Sequence, residues 1–126
     1  MTTATVLVIR LPVCPDAALS PNSRKHWAAR LRPKAQARQM AYLAAREACW
    51  EDAWPAFDGP VTVRITIGWA KGRKSVDGDN ALAMCKSYVD GLNGIVWADD
   101  KLCRFEPVEQ ERDKDGVGYI VLEIES

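Results

Sequence analysis

Val61–Trp69, VTVRITIGW, constrains the fold more than any other stretch of this chain. Val61, Val63, Ile65 and Ile67 fall on one side of a period-two alternation, and Thr62, Arg64 and Thr66 on the other. That pattern predicts a strand with one buried face and one polar face, which needs a sheet covered by helices on one side only. Three further stretches read as strands. Thr3–Leu11 (TATVLVIRL) is rich in β-branched residues and stopped by Pro12 and Pro15. Leu102–Val108 and Gly118–Glu125 follow at the other end of the chain, and the charged turn ERDKDG between them predicts a closing hairpin. Two helices fit the remainder. Lys34–Trp50 is rich in Ala, Gln, Arg and Leu, with Pro33 suited to its first turn. Ala37, Met40, Ala41, Ala44, Ala45 and Ala48 form its apolar stripe. A shorter helical turn fits Arg24–Leu31. Asn80–Leu92 has helical composition and ends at Asn93-Gly94. The predicted order is β-α-β-α-β-β, an α+β single domain over residues 1–126 with helices packed on a small mixed sheet.

The length, 126 residues, suits one hydrophobic core rather than two. No run approaches 18 apolar residues, which excludes a membrane-spanning helix, and Met1–Val6 lacks the basic start of a secretory signal. The expectation is a cytoplasmic protein without membrane partners. Cys14, Cys49, Cys85 and Cys103 form no C-x-x-C pair, and His26 is the sole histidine. They lack zinc-site spacing and read as small buried hydrophobes in a reducing compartment.

Lys+Arg and Asp+Glu number 17 each, yet the charge is not evenly spread. Residues 22–46 hold Arg24, Lys25, Arg30, Arg32, Lys34, Arg38 and Arg46 and no acid. Residues 106–115 hold Glu106, Glu109, Glu111, Asp113 and Asp115 against Arg112 and Lys114. The basic segment reads either as a solvated helix face or as a phosphate-contacting surface, with Trp27 and Tyr42 interleaved. For the five tryptophans, packing in the core or an interface is the default, and base stacking fits Trp27 best. Ile95, Val96, Trp97 and the C-terminal hairpin are candidates for a dimer surface.

The acidic stretch is more specific. Asp77-Gly78-Asp79-Asn80 precedes the second helix and Asp99-Asp100 follows it. In an extended segment Asp77 and Asp79 would share one face, roughly 7 Å apart. Their mutual repulsion would be relieved by a divalent cation. Mg2+ favours a few carboxylates, waters and phosphate oxygens over an all-protein cage. The competing reading makes Asp79 or Asn80 a helix cap and Asp77 a turn residue. Lys86 lies two helical turns beyond Asp79, with Asp90 four residues further. It suits either a surface ion pair or a phosphate held over the metal. An EF-hand fails, because its ligand, glycine and glutamate positions are Ala81, Leu82 and Tyr88.

Three spaced elements, Asp77-Gly-Asp79-Asn80, Lys86-x-x-x-Asp90-Gly91-Leu92 and Trp97-Ala-Asp99-Asp100, resemble the RusA family of Holliday junction resolvases, above all its phage and prophage members. Leu19–Trp27 is similar to the N-terminal loop of those members. The resemblance implies a homodimeric, Mg2+-dependent endodeoxyribonuclease that cuts four-way DNA junctions by paired symmetric incisions in recombination and repair, with Mn2+ as a substitute ion. By motif, Asp77, Asp79 and Asp100 match the family's catalytic metal ligands, and Lys86 its required lysine. In shorter-spaced members that lysine lies one helical turn nearer the paired aspartates. Asp99 reads as a weak ligand or a turn residue, and Asn80 matches the family's residue after the second aspartate. The candidate DNA-binding set is Arg24, Lys25, Arg30, Arg32, Lys34, Arg73, Lys74, Lys86 and Lys101. Two alternatives stay open: a nuclease for other branched DNA, and a non-catalytic dimeric junction binder.

Overall fold

The computed structural model describes residues 5–126. Five strands form one mixed sheet: β1 (Val6–Leu11), β2 (Val61–Trp69), β3 (Cys103–Phe105), β4 (Glu109–Arg112) and β5 (Tyr119–Glu125). Two helices, α1 (Trp27–Ala48) and α2 (Gly78–Asp90), complete the α+β domain. The first strand is shorter than the stretch Thr3–Leu11, whose Thr3 and Ala4 lie outside the described residues.

The spatial order is β1-β5-β2, with β3 and β4 both on the far edge of β2. β1 and β2 flank β5 antiparallel, and Val63, Ile65 and Ile67 stand opposite Ile124, Leu122 and Ile120. All six are buried, as are Ile9 and Leu11 from β1. The helices cover this face. Ala37, Ala41 and Ala45 come from α1, and Ala81, Met84, Cys85, Tyr88 and Val89 from α2. The opposite face carries Val6, Val8, Arg10, Arg64 and Glu123, all exposed. The period-two pattern of β2 therefore predicts its burial correctly at each of these positions.

The expected closing hairpin does not form. β3 pairs in parallel with Val61–Val63 and β4 with Thr66–Trp69, so they are two halves of one edge strand, interrupted around Pro107. Proline has no N–H for a sheet ladder. The turn after β4 passes over the end of β2, where Asp113 N–H donates to the Trp69 carbonyl and Lys71 N–H to that of Gly116. It delivers β5 to the opposite side of β2.

The first helix also departs from expectation. It begins at Trp27, so the short turn at 24–31 and the helix from Lys34 are one element and Pro33 lies inside it. His26 caps it, its Nδ1 accepting from Ala28 N–H at 3.2 Å. Arg30 anchors the first turns by donating to the carbonyls of Ala18 (3.0 Å) and Ser20 (3.1 Å). These contacts compensate for the helical hydrogen bond that Pro33 forgoes. Ile95, Val96 and Trp97 are buried, held against Ala56 and Phe57 by backbone hydrogen bonds, which removes them as a dimer surface. Trp69 is buried too, Trp54 half-buried, and Trp27 and Trp50 exposed. All four cysteines are free thiols; Cys49 and Cys85 are buried, Cys14 and Cys103 half-buried. Burial pushes the Cys85 thiol up to about 12. No helix among the described residues is long and apolar enough to cross a membrane.

Candidate active site

The acidic residues meet at α2 because β2 and the edge strand β3 hold the two ends of the connection between them. Residues 70–77 leave β2 without regular structure and end at Asp77, the N-cap of α2. Asp77 donates no side-chain cap: its carboxylate accepts nothing from the first turn, while its backbone carbonyl accepts from Ala81 N–H at 2.8 Å. The helix starts at Gly78, so neither Asp79 nor Asn80 is the cap. Asp77 is extended and Asp79 already helical, which replaces the shared extended face with a helix start. Both carboxylates are exposed, and neither has a side-chain hydrogen bond or ion pair among the described residues.

Asp79, Leu82, Ala83, Lys86 and Val89 follow one another along one side of α2 and, with Phe105 of β3, line an open groove of about 480 Å³. Asp79 and Lys86 are separated by about 10 Å of helix rise. Lys86 is the hub. Its ammonium bonds the Asp90 carboxylate at 3.0 Å, one turn along α2, and reaches off the helix to the Asp100 carboxylate in the 3-10 turn before β3. The Asp100 hydrogen bond raises the Lys86 pKa above its ordinary value. The reciprocal bond from Lys86 lowers that of Asp100 below the usual carboxylate range. Asp99 spends its carboxylate as the cap of that turn, accepting from Lys101 N–H at 2.9 Å.

Gly91 explains the glycine in the second element. A Cβ there would lie 2.3 Å from the Arg38 carbonyl of α1, so the end of α2 and the middle of α1 touch backbone to backbone. This close approach sets where α2 lies under the sheet. At its other end, Gln110 of β4 holds the approach to Asp77, accepting from Val76 N–H (2.9 Å) and donating to the Val76 carbonyl (2.7 Å). Gln110, Phe105 and Gly91's packing role carry no signal in residue spacing, because each depends on an element distant in sequence.

The candidate ligands are thus partly assembled. Three aspartate carboxylates are hard oxygen donors suited to Mg2+, and Asp100 already faces a cation, the Lys86 ammonium. Among the described residues no three His, Cys, Asp or Glu side chains stand close enough to hold a metal ion. Asp100 is paired with Lys86 rather than gathered with Asp77 and Asp79.

The cationic candidates divide. Arg24, Lys25, Arg32, Lys34, Lys74 and Lys101 are exposed. Arg30 is committed to the carbonyls of Ala18 and Ser20. Arg73 donates to the Pro15 carbonyl at 2.7 Å and lies 5.0 Å from the centre of the Trp69 ring. These two guanidiniums hold loops in place.

The chain is similar to an uncharacterized protein of Xylella fastidiosa (strain Temecula1 / ATCC 700964), with 32% identity over 110 residues, 87% of this chain and 71% of the relative. No family model matches the chain.

Proposed function

The chain belongs to one family with that Xylella protein, and for this chain we propose a Mg2+-dependent endodeoxyribonuclease that resolves four-way DNA junctions as a homodimer. The observation that carries the reading is the reach of Lys86 from α2 to Asp100. It joins the second and third elements of the acidic pattern at the side of the helix whose start carries the first. The free carboxylates of Asp77 and Asp79 add support, since a purely structural pair would be used as caps.

Asp77, Asp79 and Asp100 are the residues that would hold the ion. Bound there, Mg2+ would supply an activated water and offset charge on the phosphate. Asp100 would exchange its ammonium partner for the ion. Lys86, keeping Asp90, would then have N–H donors free for a non-bridging phosphate oxygen, as a point charge that accepts varied approach angles. The exposed cations of the 22–46 segment, with Lys74 and Lys101, would hold the flanking DNA backbone. Cutting two strands of like polarity calls for two active sites related by a dyad, which a homodimer provides.

The test is cleavage of a synthetic four-way junction and of a linear duplex, with and without Mg2+. The expected result is Mg2+-dependent paired incision of the junction alone, reduced to background in Asp77→Asn while junction binding persists or tightens. Wild-type cleavage by Asp77→Asn would refute the ligand assignment. Binding without cleavage would favour a non-catalytic junction binder.

A further inference from the structure

We propose that Gln110 is a positioning residue for the metal site, acting through Val76 on Asp77; the inference rests on the nuclease reading above. Gln110 lies on β4, far in sequence from the acidic elements, and makes three hydrogen bonds with its one amide. Its Oε1 accepts from Trp69 Nε1 (2.9 Å) and Val76 N–H (2.9 Å), while its Nε2 donates to the Val76 carbonyl (2.7 Å). Two N–H donors at one end and a carbonyl at the other fix which end is oxygen. The pairing with Val76 resembles a sheet ladder made by a side chain.

The segment clamped in this way has no ladder of its own. Residues 70–77 are tied to the body at three places: Lys71 N–H to the Gly116 carbonyl, the Arg73 guanidinium to Pro15, and Val76 to Gln110. Only the last lies next to a proposed ligand. On its far side, Asp77 is fixed by the helical bond from Ala81. Gln110 therefore supplies the upstream half of the constraint on the Asp77 backbone. It also anchors that constraint to the indole of Trp69, itself buried at the end of the central strand. A ligand at an open metal site keeps its affinity only when its orientation is held by outer hydrogen bonds, and loss of such a partner typically weakens the metal about 10–100-fold.

The test is Mn2+ binding without DNA, read from the free-ion electron paramagnetic resonance signal, on wild type, Gln110→Met, Asp77→Asn and the double variant. Methionine keeps most of the volume and loses all three hydrogen bonds. Gln110→Met is expected to weaken Mn2+ about tenfold, and the double variant to bind no worse than Asp77→Asn alone, because the glutamine works through that aspartate. Val63→Ala, a destabilising core change away from the loop, is expected to leave Mn2+ affinity unchanged, which separates positioning from general loss of stability. Should Gln110→Met fail to fold, Gln110→Asn, which keeps the amide but shortens its reach, is read the same way. Wild-type Mn2+ affinity in a folded Gln110 variant would overturn the positioning role and leave the nuclease reading standing. Absence of Mn2+ binding in wild type would overturn both.

Discussion

The two helices of this domain are built on opposite principles. α2 has 13 residues, six of them buried, and its lysine is paired with two carboxylates. α1 has 22 residues and buries only Ala37, Ala41 and Ala45, so no residue of its first ten is buried. Along that half Trp27 is 67% exposed and Leu31 55%, and among the described residues none of the seven cations of segment 22–46 makes an ion pair. α2 is therefore held by packing and by internal charge satisfaction. α1 is held at one end by small side chains and presents its remaining charge to whatever approaches. Unpaired cations release counterions when they meet a polyanion, whereas a satisfied lysine must first give up a partner. The first arrangement suits capture, the second a site that changes partners.

Truncations should expose the contrast most strongly. Met84→Ala in α2 is expected to cost about 2–5 kcal/mol by leaving a core cavity, while Leu31→Ala in α1 should stay within about 0.5 kcal/mol. Urea unfolding of both variants checks this, and equal losses would mean that the first half of α1 is covered. Within α1 a smaller difference is expected between neighbouring arginines. Arg30→Ala removes two hydrogen bonds to loop carbonyls and should cost about 1–3 kcal/mol. Arg32→Ala should be near neutral in stability.

The reverse ordering is expected for DNA. Arg32→Ala with Lys34→Ala should lower the slope of log affinity against log salt by about 2, if each side chain neutralises one phosphate. A slope equal to wild type would leave the cations as a solvated face. The smallest effect concerns pH. Asp100 titrates below the ordinary carboxylate range because Lys86 bonds its charged form. The pair's contribution is thus present at neutral pH, lost as pH falls through the lowered Asp100 value, and lost at the alkaline end above the raised Lys86 value. Solvent screening limits it to about 0–1 kcal/mol. Carboxyl carbon NMR should show the Asp100 midpoint returning toward its ordinary value in Lys86→Met.

Much of this was legible from residue spacing. The buried face of β2, the apolar stripe of α1 at Ala37, Ala41 and Ala45, and a helix after Asp77 all follow from local periodicity. The site was legible as a pattern of types, two aspartates, a lysine and a third aspartate, but not as an arrangement. Spacing along α2 predicts the Lys86–Asp90 pair, since residues four apart share a side of a helix. It is silent on Lys86–Asp100, which depends on where β3 returns the chain. Pro33 pointed to a helix start, and the carbonyl anchors of Arg30 made it interior. The ERDKDG turn pointed to a hairpin, and the parallel pairing of β4 with β2 made it a bridge over the central strand.

By itself, then, the amino-acid order determined which stretches are strand or helix and which faces they bury, because those are decided within a few residues by side-chain direction and polarity. Only the tertiary structure decided that Asp100 would face Lys86, that Gly91 would let α2 touch α1, and that Gln110 would hold Val76. Each of those contacts joins segments that no local rule relates, and the close-packed sheet and helices fix them together.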